Sequence, residues 1–368
     1  MSVAAAVALA KVRGVSYVGQ KFLIDRFGSA LKVTEASGAR SENDPTTRQL
    51  LSIVAKEADL KQAENVVRRT EMLGAWICAY GSTEYPKLLA EISDPPLVLF
   101  GKGEWPKTDL PWLAVVGPRN PSRYGARIAQ LLASDLAREG IVIVSGLARG
   151  VDAIAHESAL KEKRPTVAVI GCGIDQVYPP EHAHLQERIA KSGTVVTEFF
   201  PGESPLKDHF PRRNRILSGL SRGVLVIEAG ETSGALITVR HALDQSRDVF
   251  AVPGQIDSPL SIGSNRIISE GAKLVATSDD VLEEWGLAPG KLYRTNSSPE
   301  AQKEETDGLS EDAKAVLHAL GLGMGASVDE LARKEQRPVE NMLRTLMELE
   351  IRGLVIRASD ARYSRAAG

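Results

Sequence analysis

Leu113-Ala114-Val115-Val116-Gly117, Ile141-Val142-Ile143-Val144-Ser145-Gly146 and Val167-Ala168-Val169-Ile170-Gly171 are three short apolar runs, each closed by a glycine. Amphipathic helical segments lie between them, so the stretch 112–171 reads strand, helix, strand, helix, strand. A run that is apolar on both faces belongs to a parallel sheet covered by helices on both sides. The pattern continues through Val195-Val196, Val224-Leu225-Val226-Ile227 and Val249-Phe250-Ala251-Val252. The prediction is an α/β fold built on a doubly wound, mostly parallel sheet.

Outward from this core the pattern changes. On the N-terminal side, to about Tyr80, apolar residues recur at helical spacing, as in Phe22, Leu23 and Phe27 before Gly28 and in Leu50, Ile53, Val54 and Ala58. On the C-terminal side, 288–308 holds Pro289, Gly290, Ser297, Ser298 and Pro299 with a run of Lys and Glu, which reads as a linker. Beyond it, Val316, Leu317 and Leu320 mark one helix and Ser327 with Glu330 a capping box for a second. Pro338 opens a third, with Val339, Met342, Leu343 and Leu346 on one side. A hairpin of Leu354-Val355-Ile356 with a strand near Tyr363, turning at Ser359-Asp360, completes a winged helix. The expected organisation is a helical domain at 1–80, the sheet domain at 81–287, the linker at 288–308 and the winged helix at 309–368.

Composition removes several classes. The 368 residues, 43% hydrophobic and 25% charged, are of ordinary globular composition. Lys and Arg number 45 against 47 Asp and Glu, so a polyanion site has to be a local cluster that the net charge of -2 conceals. Cys78 and Cys172 match no zinc or redox spacing and suit a reducing compartment. The apolar run Ser2 to Ala10 has no basic residue before it and is too short to span a bilayer. A cytoplasmic protein without membrane contact is therefore expected.

In an open parallel sheet ligands bind at the carboxyl ends of the strands, here Gly117, Gly146, Gly171, Glu198 and Gly230. No GxGxxG fingerprint and no Walker loop occurs there, so dinucleotide redox chemistry and P-loop hydrolysis lose their usual support. Arginine is abundant instead. Arg119 and Arg123 follow the first strand and Arg149 the second, and His209 to Arg222 contains Arg212, Arg213, Arg215 and Arg222 without one acid. The guanidinium fork suits phosphate, and several phosphates in a row mean a nucleic acid strand. Phe210, between Lys207 and Arg212, is placed to stack on a base, whereas Phe199 and Phe200 fit a strand end as core equally well. Acid–base options are thin. Asp152 and His156 lie one helical turn apart, and Asp175, Glu198 and Glu228 sit near strand ends, suited to orienting arginines or accepting a ribose hydroxyl. No histidine shows a metal-ligand pattern, and no cofactor is expected.

Six ordered segments then carry a resemblance. They are Ser145-Gly146-Leu147-Ala148-Arg149-Gly150-Val151-Asp152; Gly171-Cys172-Gly173-Ile174-Asp175 with Tyr178-Pro179; Phe210-Pro211-Arg212-Arg213-Asn214-Arg215; Ser233-Gly234-Ala235-Leu236-Ile237-Thr238; Val252-Pro253-Gly254; and Gly263-Ser264-Asn265. The region resembles the Rossmann-like domain of the DprA (Smf) family of bacterial recombination mediators. The resemblance implies sequence-independent single-stranded DNA binding, protection of the strand and its delivery to the RecA recombinase without catalytic turnover, in natural transformation or recombination, by a homodimer. It places the DNA-binding residues at Gly117, Arg119, Ser145, Gly146, Arg149, Gly150, Lys207, Phe210, Arg212, Arg213, Asn214, Arg215, Ser233 and Gly234. Within it, Arg119 matches the family's Gly-Ser-Arg arginine, Arg149 stands for its usual lysine, and Lys207 and Phe210 match its backbone-gripping lysine and stacking phenylalanine. The turn departs from the family in having Pro118, which removes a serine hydroxyl and a backbone N–H. The flanking regions resemble a sterile-alpha-motif or helix-hairpin-helix region and a winged helix. Only Gly19 of the two hairpin glycines is present, and Glu340, Glu348 and Glu350 beside Arg344 and Arg352 suit protein contact better than duplex reading.

The rival reading is an enzyme, a nucleotide hydrolase of the lysine-decarboxylase-like Rossmann group. Those proteins share a glycine-rich threonine loop like Ser233 to Thr238, but this chain lacks their full Pro-Gly-Gly-x-Gly-Thr pattern and has Val239-Arg240 where their glutamate follows.

Overall fold

The computed structural model describes residues 2–38, 42–107, 109, 111–287 and, further on, 310, 313, 315–316, 320, 326–335, 337–352, 354–357 and 363–365. They fall into two compact units, Met1–Asp280 and Val281–Gly368.

The first unit opens with five helices: α1 (Val3–Ala10), α2 (Tyr17–Phe27), α3 (Ala30–Ser37), α4 (Pro45–Glu57) and α5 (Leu60–Met72). Each starts at a side chain that accepts a first-turn N–H: Ser2, Ser16, Ser29, Asp44 and Asp59. The apolar N-terminal run is α1 itself, and its Ala5, Ala6, Val7, Ala8 and Leu9 are all buried, which accounts for its lack of polarity. Next come β1 (Trp76–Ala79), α6 (Lys87–Ala90) and β2 (Val98–Gly103). The doubly wound part follows as β3 (Trp112–Val116), α7 (Arg123–Arg138), β4 (Val142–Ser145), α8 (Val151–Lys161), β5 (Thr166–Val169), α9 (Ala183–Ser192), β6 (Thr194–Thr197), α10 (His209–Leu220), β7 (Gly223–Val226), α11 (Ala235–Asp244), β8 (Asp248–Ala251), α12 (Ile262–Ser269) and β9 (Lys273–Leu274).

The nine strands form one sheet in the order β1-β2-β6-β5-β4-β3-β7-β8-β9, parallel from β6 to β9. β2 joins β6 antiparallel and β1 joins β2 antiparallel. β4, β5, β6 and β7 are buried along their whole length, as doubly covered parallel strands must be. Alternate residues serve opposite layers. Val167 and Val169 pack with Ile216, Leu217 and Leu220 of α10 and Val239 of α11, whereas Ala168 packs with Leu185 and Ile189 of α9.

The boundary read near Tyr80 does not divide the fold. β1 lies before it and belongs to the sheet, and Leu9, Leu23, Val33 and Val54 of the helical region share one core with Val98, Phe100, Ala168 and Val195. Helical spacing alone carries no information about which core a helix joins, so the region read as its own domain is a layer of this unit.

In the second unit Val328–Lys334 begins at the predicted capping box, Ser327 Oγ accepting from Glu330 N at 3.2 Å and Glu330 Oε2 from Ser327 N at 2.9 Å. Val339–Ile351 follows Pro338, and Val355–Arg357 pairs antiparallel with Tyr363–Arg365. Val316, Leu331, Met342, Leu346 and Val355 share its core. The linker at 288–308, Leu317 of the first helix and the Ser359-Asp360 turn lie outside the described residues.

Candidate nucleic-acid interface

The strand order reverses at β3: the chain moves to β4, β5 and β6 on one side and to β7, β8 and β9 on the other. The crevice outside the carboxyl ends at such a reversal is where this architecture binds ligands. Its floor is set by glycines that let backbones touch. Gly150, at φ 75°, starts α8 without a side-chain cap, and a Cβ on it would collide with the carbonyl oxygens of Pro118 and Arg119. Val151 N donates to Pro118 O at 3.3 Å, so the turns after β3 and β4 form one piece. A Cβ on Gly117 would strike Val151. At Gly117 and Gly150 this packing is what requires the lack of a side chain.

Four further predicted contacts are also internal. Ser145 is fully buried and its hydroxyl donates to Val115 O at 2.7 Å. Gly146 N donates to Asp152 Oδ2 at 3.1 Å, and a Cβ there would strike the Arg213 guanidinium. Arg213, 4% exposed, donates to Gly146 O at 2.7 Å and also to Val169 O, tying together the ends of β4 and β5. Burial pulls its guanidinium down to about 10, leaving it cationic at neutral pH. Arg215, equally buried, donates to Glu198 Oε2 at 2.8 Å and pairs with Asp94 at 3.0 Å. Arg213 and Arg215 are thus struts, not phosphate contacts. Ile216, Leu217 and Leu220 turn one face of α10 into the core, and Arg213 is carried in with them.

Arg212 is half exposed but committed. It pairs with Glu198 at 3.0 Å and lies 4.7 Å from the Tyr17 ring centroid and 5.1 Å from that of Phe199. Burial, then neighbouring Arg215, lowers its guanidinium to about 10. Phe199 is core, stacked on His209 at 3.9 Å, and Phe200 packs against Phe100 at 5.3 Å.

What stays open at the rim is smaller and better defined. The Arg119 guanidinium stands 5.6 Å over the Phe210 ring, whose other neighbour is Tyr178 at 5.3 Å. Arg119, Arg149, Tyr178, Pro179 and Phe210 line one shallow pocket over Gly146 and Gly171. Phe210 is half-buried, leaning on Gly171, so its ring is held without being withdrawn. Lys207 is exposed one turn before it. Arg149 is exposed but bonded to Glu181, which raises its already high pKa further. Asn214 Nδ2 donates to Gly234 O at 3.5 Å, bringing the Ser233-Gly234 loop to α10, and nothing crowds Gly234.

The acids hold structure. Asp152 accepts from Gly146 and from Ala148 N at 3.3 Å, and does not pair with His156. Burial raises the Asp152 carboxyl and drives the His156 imidazole down to about 3, where Nδ1 faces Thr166 Oγ1 at 2.8 Å. Glu198, between two arginines, is still pushed up to about 7 by burial. Asp175 accepts from Arg69 of α5 at 2.8 Å and Gly202 N at 2.7 Å, fixing the loop that leads to Lys207. Glu228 accepts from Ser122 N at 2.9 Å at the start of α7. Thr238, the threonine of the rival hydrolase reading, is buried in α11. Among the described residues no group of three or more His, Cys, Asp or Glu is placed to hold a metal ion.

Tyr17, Arg69 and Glu181 were not singled out by sequence reasoning, since long-range pairing leaves no local signal. Tyr178 stood in the quoted Tyr178-Pro179 pair and was recoverable as a second aromatic beside Phe210.

Residues 76–286 match the family model for DNA recombination-mediator protein A, and residues 299–361 match the DprA winged helix domain. The family match begins at the first residue of β1. The chain is 49% identical over 201 residues to the DNA processing protein DprA of Streptococcus pneumoniae, covering 55% of this chain and 71% of that one. It is 39% identical over 275 residues to Protein Smf of Escherichia coli, covering 74% and 72%. Among solved structures, that of DprA from Streptococcus pneumoniae matches with a TM-score of 0.64 at 37% identity, over 75% of this chain and 95% of that one. The DNA processing protein A of Helicobacter pylori, solved for its single-stranded DNA binding mode, matches with a TM-score of 0.52 at 30% identity, over 57% and 95%. With its Rossmann-like sheet, its winged helix and these matches, the chain belongs to the DprA/Smf family of DNA recombination mediators.

Proposed function

We propose that this chain binds single-stranded DNA without sequence readout across the carboxyl ends of β3, β4 and β5, protects it and delivers it to the RecA recombinase, in the cytoplasm and without chemical turnover. The observation that carries the reading is the half-buried Phe210 ring at the rim, beside Arg119 and Tyr178, with Lys207 three residues before it. A ring of this kind takes the face of any base, while Arg119 and Lys207 neutralise the flanking phosphates. The single-strand binding of the Helicobacter pylori relative supports it. No helix among the described residues is long and apolar enough to cross a membrane.

The chain acts as a homodimer in this proposal. Leu243, Ile262 and Leu274, on α11, α12 and β9, are each more than a third exposed, and the proposal places the contact with a second copy on this side of the sheet. Light scattering on Ile262→Asp tests it: a shift from dimer to monomer is expected, and a wild-type monomer at micromolar concentration refutes it.

The decisive functional test is a strand-exchange reaction with RecA on DNA already coated by a single-strand binding protein. Addition of this chain should restore exchange, and Phe210→Ala should not. Release of free base from nucleoside monophosphates would instead establish the hydrolase reading.

A further inference from the structure

On the far side of β3 from Phe210 lies a second, larger cavity of about 570 Å³, at the ends of β3, β7 and β8. Its lining includes Tyr124, Glu228, Gln255, Ser258 and Ser261. The size is that of a small-molecule site, lined by a few convergent polar groups. The Glu228 carboxylate occupies the start of α7, where a Rossmann-type sheet ordinarily receives a ligand phosphate. It accepts from Ser122 N at 2.9 Å and from the Ser122 hydroxyl, and Gly125 leaves the room it fills. An acceptor-only carboxylate there repels phosphate, and each of its oxygens, though it already accepts one bond from Ser122, keeps a lone pair for one further neutral donor from the cavity. Tyr124 supplies a wall: its hydroxyl donates to Pro253 O at 3.0 Å, which pins a ring that is 40% exposed. Arg123 stands exposed at the mouth, where a phosphate would be left outside.

We infer that this cavity receives one unstacked base of the bound strand, its face on Tyr124 and its exocyclic amino group donating to Glu228. The inference rests on the single-strand reading above and adds to it a chemical preference. Cytosine, adenine and guanine each carry an exocyclic amino group that can donate to such an acceptor, and thymine carries none, so a carboxylate selects against thymine. The grip on the strand is then indifferent to the base at Phe210 and favours an amino-bearing base at Glu228, without reading an order of bases.

The test is equilibrium binding of fluorescent oligomers of dC, dT and N4,N4-dimethyl-dC, equal in length, to the full chain. The dC oligomer should bind at least about fivefold more tightly than dT, and dimethylation, which removes both donors while leaving the protein untouched, should erase that advantage. Tyr124→Ala, with an unchanged circular dichroism spectrum, should weaken dC binding by about tenfold. Equal affinity for all three oligomers, or a Tyr124→Ala variant that binds dC like the parent, overturns the base subsite while leaving the single-strand reading intact. Failure of every oligomer to bind overturns the reading beneath it.

Discussion

Arg213 and Arg119 are both arginines at the same rim, yet the structure assigns them opposite roles, and replacing each by alanine separates them. Arg213 is buried with two strand-end carbonyls, Gly146 O and Val169 O, on its guanidinium, and burial raises the neighbouring Asp152 carboxyl. Arg213→Ala leaves two buried acceptors unpaired, at about 1–3 kcal/mol each. It also strips the positive charge that acts on Asp152, and losing one member of a buried pair costs about 3–5 kcal/mol in comparable cases. The two estimates overlap, so a destabilisation of about 3–5 kcal/mol is the expectation, a shift of about 1–2 M in the urea midpoint. Arg119→Ala, exposed and over Phe210, should change stability by less than about 0.5 kcal/mol. In a salt titration of single-strand binding the order inverts. Arg119→Ala should flatten the log–log slope by about 0.7, and Arg213→Ala, measured where it is folded, should leave the slope alone. An Arg213→Ala variant that unfolds with the parent and loses slope refutes the strut and returns Arg213 to the DNA.

Phe210→Ala should weaken single-strand affinity by about 5- to 150-fold for every base composition, as fluorescence anisotropy would show, while Phe210→Trp retains it. Loss restricted to one base would argue against a stacking role. His156, whose imidazole burial holds at about 3, stays neutral in the folded chain well below the pH at which it protonates in the unfolded chain. Stability should therefore fall as pH drops from about 6.5 towards 3, by up to about 4–5 kcal/mol, and His156→Gln should flatten that fall in urea titrations. Leu9→Ala, in α1 but in the core shared with β2 and β6, should cost about 2–5 kcal/mol and lower the transition of the whole first unit. A separate early transition confined to the helices would restore an independent N-terminal domain.

The parallel strands were legible because burial on both faces leaves no polar alternation: residues 142–144 and 224–226 are apolar at every position. The antiparallel edge was not. Val98–Gly103 is diluted by Gly101, Lys102 and Gly103, and Trp76–Ala79 is half covered, so neither carries the pattern of its neighbours. At the site, the arginine-rich stretch was readable as local charge, but its division into buried and exposed members follows from helix phase. Arg213 precedes Ile216 by three and Leu217 by four, which puts it on the face those residues bury. That signal was present in the sequence. The pairing of Arg149 with Glu181, or of Arg69 with Asp175 across 106 positions, was not, because nothing local fixes it.

The near-zero net charge takes on a physical meaning through these pairings. Glu198 pairs with Arg212 and Arg215, Asp94 also with Arg215, Glu181 with Arg149 and Asp175 with Arg69. Most of the arginine near the rim is consumed in shaping it. Among the described residues, Arg119 in the Phe210 pocket and Lys207 three residues before Phe210 carry no ion pair. Two phosphate contacts per protomer at this pocket, or three with Arg123 at the second cavity, predict a log–log salt slope of about -1.4 to -2.1, a modest dependence for a nucleic-acid binder. Affinity at physiological salt then has to come chiefly from rings, Phe210 foremost, whose contribution salt does not screen. A measured slope of about -4 or steeper per protomer would mean that the internal pairs open on binding and that arginines such as Arg149 and Arg212 turn outward to the strand.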